Sequence, residues 1–381
     1  CMLRSASPLT RPTGRHLSQR KVAAMARVYV VSDVHTDHEE NMEWIKALRE
    51  KEDYSRDALI VAGDVSEQEE TVRETLSELV NVFGSVHFLY GNHELWLDDP
   101  KGSDSSEQKW ARLRTMCAEL GVHTSPVRFG GDGESGVWIV PILSWHHSSW
   151  DYEPDITHSK IPPITWVMRD FRMCRWEDES REPAESMDEL NDSLWREGDA
   201  AEDGGLFAAI AARPAPVISF SHFLPRVELC PEKRFLYYPN LIKAVGSDFL
   251  RRRVEALHAQ VPAGMGHVHC FGHTHFGWDA ELDGVRYLQA ALSYPDERLR
   301  RPRSLEIGDI MRRPLLVYDT AAGAFADPYR GRWSEYYKLN AREPERTDLV
   351  PYVPMYEKAD GVGPDVIRRS KQNPFDHKEN R

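Results

Sequence analysis

The chain has 381 residues, 41% of them hydrophobic, and a formal net charge of −13. That length and apolar content suit one large α/β domain or two modest ones with a substantial core. The acidic balance disfavours a protein that tracks long nucleic acid, which needs a basic surface to displace counterions, and no run nears the roughly 18 consecutive apolar residues of a membrane span.

The cysteines, Cys1, Cys117, Cys174, Cys230 and Cys270, are odd in number and scattered, so they form neither a disulfide framework nor a Cys-x-x-Cys metal site. A reducing compartment fits them. Residues 1–26 are rich in Arg, Ser and Ala, and no Asp or Glu precedes Asp33. The segment reads as an organellar transit peptide or as a leader upstream of a start at Met2 or Met25. The expected location is accordingly cytoplasmic, or chloroplast or mitochondrion if the leader is a transit peptide.

Arg27 to Val31 reads as a buried strand and ends in Ser32-Asp33-Val34-His35, where the i, i+2 spacing points Asp33 and His35 to one side. A helix follows around Met42 to Leu48. Ala58 to Ala62 is a second strand, stopping at Gly63-Asp64, and a helix from about Glu67 to Val82 carries Val72, Leu76, Leu79 and Val80 on one face. Val86 to Tyr90 is a third strand, ending in Gly91-Asn92-His93-Glu94. Three successive units thus place ligand-competent residues just after a strand, the edge at which open α/β sheets bind ligands.

A helix is expected from about Glu107 to Leu120, then strands at Pro126 to Phe129 and Val137 to Leu143 around the glycine-rich turn 130–136. Ser144 to Trp150 contains Trp145, His146, His147 and Trp150; the histidines read as pocket-rim or surface residues, and the tryptophans as core or as a face for a nucleobase. Residues 146–213 read as an acidic, loop-rich insertion capping the active edge, its charge a solvated face or a substrate-selecting lid. Pro216 to Phe220 is a further strand, ending at Ser221-His222. A helix at Asp248 to Gln260 leads to the strand His267 to Cys270, followed by Phe271-Gly272-His273-Thr274-His275. Asp283-Gly284 signals a hairpin, and Pro314 to Tyr318 is the last strand. Residues 27–325 form the domain, and the polar tail 326–381 either wraps it or stays mobile.

The strand ends together supply Asp33, His35, Asp64, Asn92, His222, His273 and His275. Singly, each has an ordinary reading: the aspartates as helix caps, Asn92 as a turn residue, His222 as a hydrogen-bonded core histidine. As a set they can ligate two ions if one carboxylate bridges, and two ions about 3.5–4 Å apart stabilise both attacking and leaving oxygens in phosphoryl transfer.

In order, these blocks are Asp-x-His, Gly-Asp, Gly-Asn-His-Glu, a lone His after a strand, and Gly-His-x-His, and the chain from Val28 to Tyr318 resembles the calcineurin-like metallophosphoesterases. Ser219 to Pro239 and Phe271 to Leu288 resemble the plant and algal branch of that family. The resemblance implies an α/β fold, a four-layer α-β-β-α sandwich of two mixed β-sheets flanked by helices, with a dinuclear metal site at the strand ends. It implies that Asp33, His35 and His275 hold one ion, that Asn92, His222 and His273 hold the other, and that Asp64 bridges them. His93 would then be the general acid or stabilise the phosphoryl oxygens as imidazolium, and a metal-bridging hydroxide would attack phosphorus in line. Imidazole and carboxylate donors suit Mn, Fe, Zn or Co better than Mg or Ca.

Val65-Ser66-Glu67 follows Gly63-Asp64, and Tyr90 precedes Gly91. The arginines by which Ser/Thr protein phosphatases of this family hold phosphate are therefore missing, as is the tyrosine ligand of purple acid phosphatases. The expected activity is hydrolysis of a phosphomonoester or phosphodiester of a small metabolite or nucleotide. Arg226, Lys233, Arg234 and Tyr237 are the candidate substrate contacts, with a solvated loop the alternative for the three cations. The alternative is a non-catalytic metal-binding or protein-binding scaffold, against which stands the retained His93. A nuclease is disfavoured by charge. Nothing in the sequence indicates an oligomeric state.

Overall fold

The computed structural model describes residues 26–130, 135–300 and 313–350. The expectations for the leader to residue 25, for 131–134 of the glycine-rich turn and for the tail beyond 350 lie outside the described residues.

Strands β1 (Arg27–Val31), β2 (Ala58–Ala62) and β3 (Ser85–Leu89) run parallel, and β2 is buried along its whole length. Continuous β-branched and aliphatic runs suit strands covered on both faces. The first sheet has the order β11-β10-β1-β2-β3, with β10 (Leu315–Asp319) and β11 (Ala324–Phe325) antiparallel. The second sheet contains β4 (Val127–Phe129), β5 (Val137–Pro141), β6 (Val217–Phe220), β7 (His267–Phe271), β8 (Trp278–Leu282) and β9 (Val285–Gln289). Its order is β4-β5-β6-β7-β9-β8, with a parallel centre and antiparallel edges. Asp283 and Gly284, both at positive φ (49° and 81°), close the β8–β9 hairpin as that turn chemistry requires.

Helices Glu39–Ala47, Glu69–Val80 and Ser106–Leu120 belong to the first sheet's strand-helix units, and Pro183–Leu194 and Asp248–His258 to the second. Ser105 caps Ser106–Leu120 by accepting from the Gln108 amide, and Ser247 caps Asp248–His258 by accepting from Leu250. The architecture is two mixed sheets flanked by helices. At their carboxyl ends the sheets are joined: the Ser32 amide donates to Ala290, and those of Leu292 and Ser293 donate to Ser32 and Asp33. All the strand-end loops that carry the candidate ligands therefore meet on one edge.

The insertion differs from the loop-rich cap expected of it. The helix Pro183–Leu194 buries Ala184, Met187, Asn191 and Leu194 at three- and four-residue spacing. Asn191 accepts from the Leu143 amide (2.8 Å) and donates to its carbonyl (2.9 Å), while the Trp195 indole donates to Pro141 (3.0 Å). This half of the insertion continues the second sheet's packing. Past Ala326 the chain wraps the domain as far as residue 350: helix Arg332–Leu339 buries Trp333, Tyr337 stacks on Trp278 at 5.9 Å, and Arg342 pairs with buried Glu153. Those aromatics lacked a surface period because they cover an irregular flank rather than a helix groove. Among the described residues no helix is long and apolar enough to cross a membrane.

Candidate functional site

Asp33, His35, Asp64, His273 and His275 all have positive φ, between 40° and 75°. For residues with a Cβ that conformation costs roughly 1–3 kcal/mol each and persists only where the surroundings over-determine it. Here they do. The Asp33 and His35 amides donate to the carbonyls of Gly63 and Asp64, at 3.0 and 2.9 Å. Buried Glu94 collects the amides of Asp64, Val65, Ser66 and Gly91 on one carboxylate, tying the second strand end to the third. Burial and the adjacent Asp64 push the Glu94 pKa up to about 7, against the pull of those donors. At Gly272 a Cβ would lie 2.8 Å from the Asp33 carboxylate, so the glycine makes room for a ligand side chain.

Two groups of donor atoms result. Asp33, His35, Asp64 and His275 form one; Asp64, His222 and His273 form the other; within each, the donor atoms lie within 4.8 Å of one another. Asp64 belongs to both. Asn92 joins the second group through Oδ1, 3.1 Å from His222 Nε2 and 2.9 Å from His273 Nδ1. The outer nitrogens are committed elsewhere: His222 Nδ1 donates to Ala62 (2.9 Å), His273 Nε2 to Ala244 (3.0 Å) and His275 Nδ1 to Glu297 (2.5 Å). Their inner nitrogens therefore face the cluster as ligands would, with the outer partners fixing tautomer and ring.

The electrostatics call for a cation. Asp33 and Asp64 are buried, and among the described residues every ion-pair partner within 4.0 Å of either is a histidine. Burial opposes protonation of His222, yet Asp64 pushes its pKa up to about 9; Asp33 and Glu297 likewise push His275 up to about 10. The field that holds those protons would hold divalent ions, and the mixed imidazole and carboxylate donor set fits them.

His93 stands beside this arrangement. Its Nε2 is 3.9 Å from the Asp64 carboxylate and 3.3 Å from the Tyr294 hydroxyl, and its ring lies on Trp96 at 3.8 Å. Tyr294 also stacks on His35 at 4.1 Å. Burial holds the His93 pKa below the ordinary value, though Asp64 opposes this.

Three neighbours were not among the sequence candidates. Asp170 accepts from Asn92 Nδ2 (2.9 Å) and from the Trp96 indole (2.8 Å), and its other oxygen is 3.6 Å from His146 Nε2. Burial pushes the Asp170 pKa up to about 6. Glu297 and Tyr294 follow β9, the same kind of strand-end position that yielded the other candidates, and reading that end alongside the rest would have found them. Asp170 is the one acid between residues 156 and 176, which was the available signal.

The expected substrate contacts do not behave alike. Arg226 pairs with Glu228 and Asp283; Lys233 is buried between Asp151 (2.7 Å) and Asp155 (2.8 Å); Arg234 pairs with Glu343 (3.4 Å) and lies on the Phe235 ring. These three cations are matched by carboxylates inside the protein. Tyr237 is 64% exposed. His146 is buried against Asp170 rather than on a rim, because its ring fills the space between Trp145, Phe171 and Phe223. Trp145 and Trp150 are core residues, as is Tyr90.

The calcineurin-like phosphoesterase family profile matches residues 26–277. A curated relative, the [acyl-carrier-protein] phosphodiesterase PptH of Mycobacterium tuberculosis, is 27% identical over 299 residues, covering 77% of this chain and 86% of its own. The crystal structure of phosphopantetheinyl hydrolase (PptH) from M. tuberculosis aligns with a TM-score of 0.53 at 23% identity, covering 74% of this chain and 95% of that one. The family is one of enzymes with a dinuclear divalent metal centre, and the Asp and His residues here are arranged for such a site. With the profile spanning most of the chain and its ligand blocks gathered on one edge, this chain belongs to the calcineurin-like phosphoesterase family, a metal-binding hydrolase of phosphoester bonds.

Proposed function

We propose that this chain is a dinuclear metal-dependent phosphodiesterase that releases phosphopantetheine from a carrier protein. The observation that carries the reading is the Asp64 carboxylate shared by two donor groups. Asp33, His35, Asp64 and His275 would hold one ion, and Asp64, Asn92, His222 and His273 the other. Divalent ions bound there, of Mn, Fe, Zn or Co, would neutralise the phosphate oxygens and make water acidic enough to attack phosphorus near neutral pH.

The protein's own part is positioning. Asn92 contributes a neutral oxygen, leaving more positive charge at the site for an anionic diester. His93, held between Tyr294 and Trp96, lies where it can hand a proton to the departing serine oxygen. Water adds to phosphorus, the phosphorus–serine bond breaks, and serine leaves as its alcohol.

The substrate rests on the curated relative, which shares most of its length with this chain. It narrows the expectation of a small phosphorylated metabolite or nucleotide to a diester with one small arm and one protein arm. The test is incubation of the metal-loaded protein and its His93→Ala variant with holo-acyl carrier protein, followed by mass spectrometry. Loss of the phosphopantetheine mass from the carrier with wild type alone supports the reading. An intact carrier, under every metal loading that turns over bis-p-nitrophenyl phosphate, would exclude it.

A further inference from the structure

We propose that residues 156–176, together with Tyr237, form the docking surface for the carrier protein, on the cationic flank of the site; this rests on the function proposed above. The segment belongs to an insertion of an acidic chain, yet it contains Lys160, Arg169, Arg172 and Arg175 and a single acid, Asp170, which is buried. It also exposes large apolar side chains that folding normally hides: Trp166 at 73%, Val167 at 43% and Phe171 at 43%; Tyr237, whose neighbour Tyr238 bonds to Pro162, is exposed at 64%. Apolar anchors interleaved with arginines are the composition of an interface core, not of a solvated loop.

The segment is fastened to the second donor group from two directions. Asp170, the first residue of the short helix Asp170–Met173 that follows Ile164–Val167, accepts from Asn92, so Arg169 and Phe171 flank a residue that touches a candidate ligand. Pro162 accepts from Tyr238 (2.5 Å) and from Asn240 (3.0 Å). The helix that begins there, Pro239–Ala244, ends at the carbonyl that receives His273 Nε2. A protein seated on this ridge would have its modified serine beside Asn92 and His273.

The opposite flank has the reverse character. A cleft of about 670 Å³ beside Tyr294 is lined by His38, Glu39, Glu40, Asp296 and Glu297. A second cleft, lined by Glu67, Asp98, Asp99 and Asp104, adjoins the ridge at Leu97, whose amide donates to Met173, so the attraction for an acidic partner centres on exposed Arg172; an acidic helix presenting a serine-linked phosphodiester is the partner that suits it. Arg172 is exposed and has no carboxylate partner among the described residues. Among the described residues Arg169 pairs with half-buried Glu67 at 3.4 Å, while its guanidinium lies over Trp96.

Steady-state kinetics of the metal-loaded full chain, on holo-acyl carrier protein and on bis-p-nitrophenyl phosphate, test this with Trp166→Ala and Arg172→Glu. Both variants are expected to raise KM for the carrier about tenfold or more, with kcat and small-diester turnover unchanged. Added salt should raise the carrier KM for wild type more than for Arg172→Glu. Variants that cleave the carrier as wild type does, or that lose both activities equally, would overturn the docking surface and leave the proposed function standing. Wild type that cleaves the small diester but never the carrier would overturn both.

Discussion

The strand-end cluster and the 156–176 ridge lie side by side and are built by opposite means. The cluster is buried, and its left-handed backbone is held by hydrogen bonds between strands far apart in sequence; the ridge exposes its apolar residues on two four-residue helices. Chemistry needs donor atoms fixed to fractions of an ångström, which only an over-determined turn provides. Recognition of a protein needs exposed anchors. Rigidity is therefore invested in one region and accessibility in the other, and the two meet at Asp170.

That contrast can be broken from its most rigid part outward. Glu94→Ala should have the largest effect: four amides lose their acceptor at about 1–3 kcal/mol each, comparable with the roughly 5–15 kcal/mol that holds a domain folded. Expression with no cooperative thermal transition is the expected result, whereas Trp166→Ala on the ridge should melt as wild type does. Asp170→Ala, at the junction, leaves Asn92 and Trp96 without their acceptor. Calorimetric titration with Mn or Zn should show one binding event weakened about 10–100-fold and the other unchanged.

The interior histidines give a smaller, graded effect. His269 is buried between the hydroxyls of Ser219 and Ser221, and burial lowers its pKa to about 3. Its folded pKa lies below the unfolded value of about 6.5, so only the unfolded chain takes up a proton as pH falls through that interval. Stability should therefore drop below about pH 6.5 by up to about 1.4 kcal/mol per pH unit from this group. Denaturant melts between pH 7 and 5 should show the slope, and His269→Gln should reduce it. The smallest effect is expected from Arg226→Ala, which loses pairs to half-buried Glu228 and exposed Asp283 worth about 1 kcal/mol or less each. An unchanged KM for bis-p-nitrophenyl phosphate would confirm that this arginine does not touch the diester.

The same contrast explains what the sequence reveals. Asp33, His35, Asp64, Asn92, His222, His273 and His275 are legible as candidates because each follows a short buried strand, and parallel strands bring their carboxyl ends to one edge whatever the order within the sheet. The sheets, their hairpin and the principal helices follow from hydrophobic period in the same way. The carboxylate partners of Lys233 and Arg234, Asp155 and Glu343, are not legible in the sequence, because they lie 78 and 109 residues away in the chain. No local pattern announces such pairs. Asp170 and the exposed aromatics are harder still, since a segment without period shows neither its burial nor its neighbours. Residues 183–194 did carry a helical period, and the acidic composition of the insertion obscured it.

The most direct test of the central claim, that one carboxylate joins two metal sites, is the metal content of the purified chain and its Asp64→Asn variant after loading with Mn, by elemental analysis. About two ions per chain for wild type, with both sites weakened in the variant, is the result expected of a shared bridging ligand. Two ions retained by Asp64→Asn at unchanged affinity, or no ion bound by the wild-type chain under any loading, would contradict it.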